Sequence, residues 1–278
     1  MSMRTALTGL SASQTELSTI ANNIANAATT GFKRSRTEFA DLFSFDASGK
    51  TPGTGVRVAG VTQQMKQGGL EFTGNALDLA IIGNGYFMLK DGPNTTFTRS
   101  GNFRLDTNNL IVSATGAKVQ FYPVSGDQFA NTPSFPTTKV VGGQTVTAAD
   151  ELNVNSLKPA GTTVSRLEMD NEGVLRATYS DGSIGAIGKL VVATFTTPSN
   201  LGQLGDNSWR QTSGSGVAQL GYVGVDDRGK IESGALESSN VEVTQELVGM
   251  ITAQRNFQAN AKTISTADQI AQAILNIR

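Results

Sequence analysis

MRTALTGLSASQTELSTIANNIANAATT, residues 3–30, carries the pattern from which the fold can be argued. Met3, Leu10, Leu17 and Ile24 stand seven apart. Ala6 and Ile20 follow members of that series by three, and Leu7 and Ala21 by four. Apolar residues at such spacing fall on one stripe of a helix, with the period of a coiled coil. The spacing predicts a helix of ~40 Å over 3–30, with Gly31 as its stop. The far end of the chain repeats the pattern. Val243, Met250, Phe257, Ile264 and Ala271 are seven apart, and Leu247, Ala261 and Leu275 follow four after members of that series. Ile270, Ile274 and Ile277 widen the apolar face, and residues 239–242 (SNVE) fit a capping box in front of it.

Between the two stripes the texture is that of short strands and tight turns. Leu79–Ile82, then 86–89, 96–98, 103–105, 110–112 and 119–122 read as strands of a meander, punctuated by Gly, Asn and Asp. Asp181 and Gly182 make a hairpin turn, and residues 189–195 (KLVVATF) a buried strand. Residues 123–165 are rich in Thr, Pro and Gly and weakly patterned. The expected fold class is α+β: N- and C-terminal helices pairing as a coiled coil, with a central all-β body of short strands and hairpins. A helix whose apolar stripe lacks a partner is marginal in water, so the two terminal stripes are expected to satisfy one another. Leu10, Leu17 and Ile24 would then meet Met250, Phe257 and Ile264. The expected division is 1–32 with 240–278 as a helical domain, 33–122 with 166–239 as the β domain, and 123–165 as a short insertion or reduced outer subdomain.

Charge sharpens this reading. Residues 3–30 contain only Arg4 and Glu16, and residues 243–278 only Glu246, Arg255, Lys262, Asp268 and Arg278. An exposed coiled coil normally carries Glu and Lys beside its seam. Asn22, Asn23 and Asn26 are poor helix formers, at ~0.6 kcal/mol each relative to Ala. Helix faces built of Ser, Thr, Asn and Gln are expected to pack against other copies, although such helices also occur on ordinary monomers. Head-to-tail assembly with a non-closing rotation makes an open filament.

The 278 residues suffice for a sizeable core, with 38% hydrophobic and only 16% charged residues. There is no Cys and no His. That excludes Ser-His-Asp and Cys-His catalysis, thiolate chemistry and most transition-metal sites. A net charge of −1 provides no basic field for nucleic acid. No stretch approaches the ~18 apolar residues of a membrane span, and residues 1–14 lack a signal-peptide pattern. The expectation is therefore no nucleic acid, no membrane insertion, no cleavable signal and no cofactor. Gly83, Asn84 and Gly85 form a turn rather than a phosphate loop, lacking the Lys-Ser/Thr pair and a following helix. Asp226 with Asp227, and Asp170 with Glu172, read as turn carboxylates, and Trp209 as a packing residue.

Specific motifs go further than periodicity. LSTIANNIAN (17–26), followed by TGFK (30–33), resembles the N-terminal signature of the flagellar rod, hook and hook-associated axial proteins. SNV (239–241), ELV (246–248), MI (250–251), QR (254–255) and DQI (268–270) resemble the matching C-terminal signature. Within that family FADLF (39–43), GVRVAGVTQ (55–63), LDLA (77–80), GDNSW (205–209), SGV (215–217), AQRNF (253–257) and LNIR (275–278) are similar to hook subunits. The short 123–165 region departs from them, because hook subunits commonly carry a larger outer β domain there. The resemblance implies a structural, non-enzymatic subunit that polymerises with itself into a curved hollow tube, the universal joint between rod and filament. It implies export, unfolded, through the flagellar type III apparatus and terminal segments that order on assembly. It also implies contacts with the distal rod protein, the hook cap protein and the hook–filament junction protein, and a position outside the cell envelope. Asn22, Asn23, Asn26, Gly31, Phe32, Asn240, Gln254, Arg255, Asp268 and Gln269 are the candidate intersubunit or motif residues. A distal rod subunit is the alternative within the family. A soluble β-rich carbohydrate-binding protein is the alternative outside it.

Overall fold

The computed structural model describes residues 2–43, 53–124, 139–141, 144–146, 150–155, 159 and 161–276. Much of the expected excursion at 123–165, together with Ile277 and Arg278, lies outside the described residues. The chain divides into two compact units. One comprises Met1–Ala28, Lys33–Met65 and Val241–Arg278, the other Thr29–Phe32 and Lys66–Asn240.

The first unit holds both helices, α1 (Ser2–Ala25) and α2 (Val243–Asn276), and a two-stranded ribbon of β1 (Ser35–Phe43) and β2 (Gly53–Gln63). The ribbon is antiparallel, with register shifts at Glu38/Phe39 and Leu42/Phe43. A two-stranded ribbon is marginal alone, and this one lies on α1. Thr37 donates to Thr19 between their buried hydroxyls at 3.0 Å. Gly55, at φ +125°, passes so close to α1 that a Cβ would stand 2.2 Å from the Thr8 hydroxyl.

Both helix ends differ from the sequence expectation. α1 stops at Ala25 rather than reaching 30. The Asn26 N–H is shared between the carbonyls of Asn22 and Asn23, and the Asn26 side chain donates to the Asn22 carbonyl at 2.9 Å. Local amide bonding of this kind competes with helix propagation, so the asparagines end the helix before Gly31 is reached. α2 begins at Val243, where the Glu242 carbonyl accepts from Glu246 N–H at 3.0 Å. The anticipated box at 239–242 therefore does not frame its first turn.

The second unit is all β. In chain order its strands are β3 (Leu70–Phe72), β4 (Leu79–Ile82), β5 (Tyr86–Asp91), β6 (Asn94–Thr98), β7 (Arg104–Leu105), β8 (Ile111–Val112), β9 (Lys118–Pro123), β10 (Lys139–Val141), β11 (Gln144–Val146) and β12 (Asp150–Glu151). There follow β13 (Val164–Met169), β14 (Val174–Tyr179), β15 (Ile184–Leu190), β16 (Val192–Thr194), β17 (Gly202–Gly205), β18 (Ser208–Arg210), β19 (Gln219–Gly221), β20 (Lys230–Ser233) and β21 (Ala235–Glu237). The main sheet runs β13-β14-β15-β9-β5-β6-β18-β17, and β20 pairs β4 while β21 pairs β3. Its core is Leu79, Ile81, Phe87, Leu89, Phe121, Leu175, Ile187, Leu190 and Val192, all buried. Each such side chain contributes roughly 1.5–3 kcal/mol of transfer free energy.

Residues 189–195 span the end of β15 and all of β16, and change partners between them. Leu190 pairs with Phe121 of β9, whereas Val192 pairs with Phe87 of β5 and Gly221 of β19. Its middle, Leu190 to Ala193, is apolar and fully buried, as suits a stretch covered on both faces. The Asp181–Gly182 turn joins β14 to β15 as a hairpin, with Gly182 at φ +83°. The Ser183 hydroxyl, then its N–H, holds the Asp181 carboxyl below the usual range. Gly83, Asn84 and Gly85 do turn the chain, but not into a hairpin: β4 pairs β20, while β5 pairs β6, β9 and β16. Trp209 is buried in β18, its ring edge-on to Tyr86 at 5.8 Å. Asp170 accepts from the N–H groups of Glu172 and Val174, and Asp226 pairs with Arg228 at 2.8 Å, so these carboxylates serve their own turns.

Gly101 provides a test of the packing around β4. A Cβ there would stand 1.7 Å from the Leu79 carbonyl oxygen, a backbone atom that cannot step aside. Gly101→Ala is expected to destabilise this unit by about 2–3 kcal/mol, read as a lowered urea midpoint at unchanged slope. An unchanged midpoint would contradict the described approach.

Candidate functional site

The helix pair and its ribbon offer the most distinctive arrangement of chemistry. Three pairs fix how α1 and α2 meet. A Cβ on Gly9 would stand 2.8 Å from the Asn260 amide, Ile20 Cδ1 reaches within 3.4 Å of the Cβ position of Gly249, and Asn23 donates to Glu246 at 3.0 Å. Between these pairs the steps along the two helices are equal and opposite, so the helices are antiparallel in one register. Besides the half-buried Gly249 and Ala261, the half-buried or buried positions of α2 are Glu246, Met250, Ala253, Phe257, Asn260, Ile264 and Ala267. Their alternating spacing of four and three is a heptad stripe. On α1, Leu10, Leu17 and Ile24 are half-buried and Ala6, Ser13, Ile20 and Asn23 buried.

The pairing is anchored by a polar junction. Glu246 is 1% exposed, yet lies on the apolar stripe. Its carboxylate accepts from Asn23 Nδ2 and forms an ion pair with Arg34, which stands just before β1. Arg34 also donates to Gln64 at 3.4 Å, just past β2. The Asn23 amide in addition accepts from Ser35 N–H at 2.9 Å and donates to the Ser35 carbonyl at 2.8 Å, acting as an extra rung on β1. A buried charge costs several kcal/mol unless paired and hydrogen-bonded. Here one carboxylate gathers α1, α2 and both strand ends.

The other unit has a comparable centre. Glu237 is fully buried, accepts from Gly68 N–H at 3.0 Å and pairs with Arg99 at 3.2 Å. Arg99 donates also to the carbonyls of Ile81 and Gly83 and lies over the Tyr86 ring. Burial pushes the Tyr86 hydroxyl up, against the opposing pull of Arg99. Gly31 N–H donates to the Glu237 carbonyl at 2.7 Å, and a Cβ on Gly31 would stand 2.7 Å from Ser100 N. These are structural contacts. A 310 Å³ cavity here is lined by hydroxyls and amides such as Thr30, Ser113 and Asn207. Among the described residues no group of three or more His, Cys, Asp and Glu could hold a metal.

The candidate residues named from sequence fall into two sets. Asn22, Gln254, Arg255, Asp268 and Gln269 are exposed on the helices. Asn23, Gly31 and Phe32 are buried within the subunit, Asn26 caps α1, and Asn240 donates to the Lys66 carbonyl at 2.9 Å. The helix hydroxyls are also largely engaged locally. Ser13, Thr15, Thr19, Thr252, Thr263 and Thr266 each donate to the carbonyl four residues back. Sequence reasoning did not single out Arg34, Glu246, Arg99 or Glu237 as site residues. A lone Glu on an apolar stripe was the available signal for Glu246. Nor did it anticipate that Leu247, Val248 and Ile251 would be exposed.

Comparison with known proteins places these elements. A family model described as flagella basal body rod protein matches residues 3–33. One described as flagellar hook protein FlgE/F/G D1 domain matches 80–177, and one described as flagellar basal body rod FlgEFG protein C-terminal matches 232–277. The flagellar hook protein FlgE of Salmonella typhimurium is 30% identical over 407 aligned residues, covering 100% of both chains. The flagellar basal-body rod protein FlgG of Bacillus subtilis is 31% identical over 294 residues, covering 100% of this chain and 98% of its own. That of Buchnera aphidicola subsp. Baizongia pistaciae is 33% identical over 285, covering 97% and 96%.

The junction predicts coupled energetics. Asn23→Ala and Glu246→Ala should each cost about 2–4 kcal/mol and together clearly less than their sum. Thermal unfolding followed by helical circular dichroism measures this. Strict additivity would mean that the two side chains do not act as one network.

Proposed function

The chain belongs to the flagellar hook and basal-body rod protein family, and we propose that within it this is a hook subunit. It polymerises with itself into a curved hollow tube that carries torque from rod to filament as a universal joint. The observation that carries this reading is the alignment with the hook protein from end to end of both chains, supported by the hook-like motifs at 39–43, 55–63 and 253–257. The helix pair and ribbon are the polymerising part, and the β unit is the outer wall. Leu10, Leu17 and Ile24 with Met250, Phe257 and Ile264 form the coiled-coil seam within the subunit. The exposed Asn22, Gln254, Arg255, Asp268 and Gln269 face neighbouring copies. The partners are further copies of the chain, the distal rod protein below, and the hook cap and hook–filament junction proteins above. Delivery is through the flagellar type III export apparatus, and the chemistry is structural, without a cofactor.

One observation favours a distal rod subunit instead. The rod relatives align over 285–294 residues, close to the 278 of this chain, whereas the hook alignment extends over 407. The two readings differ in where the subunit sits.

Immunolabelling of purified hook–basal bodies should put signal outside the outer membrane. Signal confined to the periplasmic rod would replace hook by rod. Removing residues 1–30 and 241–278 should leave a β unit that sediments as a monomer and forms no tubes. Tubes from the truncated chain would show that the helices are not the assembly element.

A further inference from the structure

α2 has 34 residues and α1 has 24. In the register of Gly9 with Asn260 and Asn23 with Glu246, Ala267 lies opposite the first residues of α1. The last nine residues of α2 therefore project about 13 Å beyond their partner. The heptad stripe does not stop there. The four-and-three spacing that carries Phe257, Asn260, Ile264 and Ala267 continues to Ala271 and Ile274, with Leu275 beside them. Among the described residues nothing covers this continuation: Ile274 is 65% and Leu275 76% exposed. At the opposite end of the same helix a second apolar face is uncovered. Val243, Leu247, Val248 and Ile251 share one side of the first turns, rotated away from Glu246 and Ala253, and all four are exposed. The two patches are about 30 Å apart along the helix.

We propose that these faces are the two halves of one contact between copies of this chain: the projecting end of α2 docks on the Val243–Leu247–Val248–Ile251 face of the next copy's α2. The projecting stripe is continuous with the α1–α2 interface and wants a helix as its cover. Each copy supplies one stripe and one face, so a row of copies leaves only its two ends uncovered. Contiguous exposed apolar area marks an interaction surface. A closed antiparallel pair would also match the two patches; the polymer reading selects the arrangement in which every copy points the same way, a heterologous contact that propagates. This rests on the polymer reading and specifies which surfaces join.

The chain has no cysteine, so engineered thiols are unique. Assembled Val248→Cys/Leu275→Cys protein, treated with a short bismaleimide, should give a ladder of multimers. A mixture of the two single variants should give heterodimers, and either single variant alone no dimer. Ile251→Cys with Ile274→Cys repeats the measurement should the first pair assemble poorly. Homodimers of a single variant would overturn the proposal in favour of like-with-like pairing. Filaments that form without cross-links would overturn the contact and leave the polymer reading standing. Absence of filaments from the unaltered chain would overturn both.

Discussion

The carboxylate of Glu246, held by Asn23 and Arg34, sets the terms for the helix pair. It joins residues 223 positions apart in sequence. Its effect is on register more than on net stability, since an apolar residue in its place would pack at lower desolvation cost. Sliding α2 by one turn would strip Glu246 of its donors and leave a buried, unpaired charge. Apolar heptads alone tolerate such slips, because Leu, Ile and Ala positions recur at each repeat. A buried charged position on the stripe removes that degeneracy. The length by which α2 overruns α1 is then no longer adjustable.

The scarcity of charge on the helices acquires a physical account. Their Ser and Thr hydroxyls are mostly folded back on carbonyls of the preceding turn. Such bonds satisfy the side chain without offering donors to a neighbour. The uncovered surface is instead apolar at both ends of α2. In the contact proposed above, adhesion between copies rests on apolar burial, which is non-directional. A contact of that kind tolerates small changes of geometry more readily than a set of fixed hydrogen bonds.

Each unit also buries one glutamate that collects separate stretches of chain. Glu237 does for the β unit what Glu246 does for the helical one, taking Arg99 and the Gly68 N–H. Arg99 in turn ties down the carbonyls at the end of β4 and after it. This explains why β4 and β5, though joined by a tight turn, are not hairpin partners. β4 is drawn to β20 and the Glu237 centre, while β5 is paired on other strands by its own apolar face.

The residues 3–30 and 243–276 announced their helices because a 3.6-residue period is a local property, legible wherever apolar residues repeat. The strands between Leu79 and Pro123 were legible for the same reason, through alternation and Gly/Asn turns. The motifs at both ends sufficed for the family, since they depend on residue identity at set spacing. What stayed hidden was everything decided by pairing across distance. Gly31 looked like a helix stop, but the Asn22–Asn26 amides end α1 earlier and Gly31 serves a close approach to Ser100. Residues 35–63 looked like part of the β body, yet their ribbon groups with the helices. By itself the sequence determined the two helical segments, the strands between Leu79 and Pro123, and the family they belong to. Only the tertiary structure decided the register of the helices, the partner of each strand and which apolar face stays open. The register depends on which of several equivalent helix repeats meets the buried Glu246 carboxylate, and the strand partners on pairings between segments far apart in the chain.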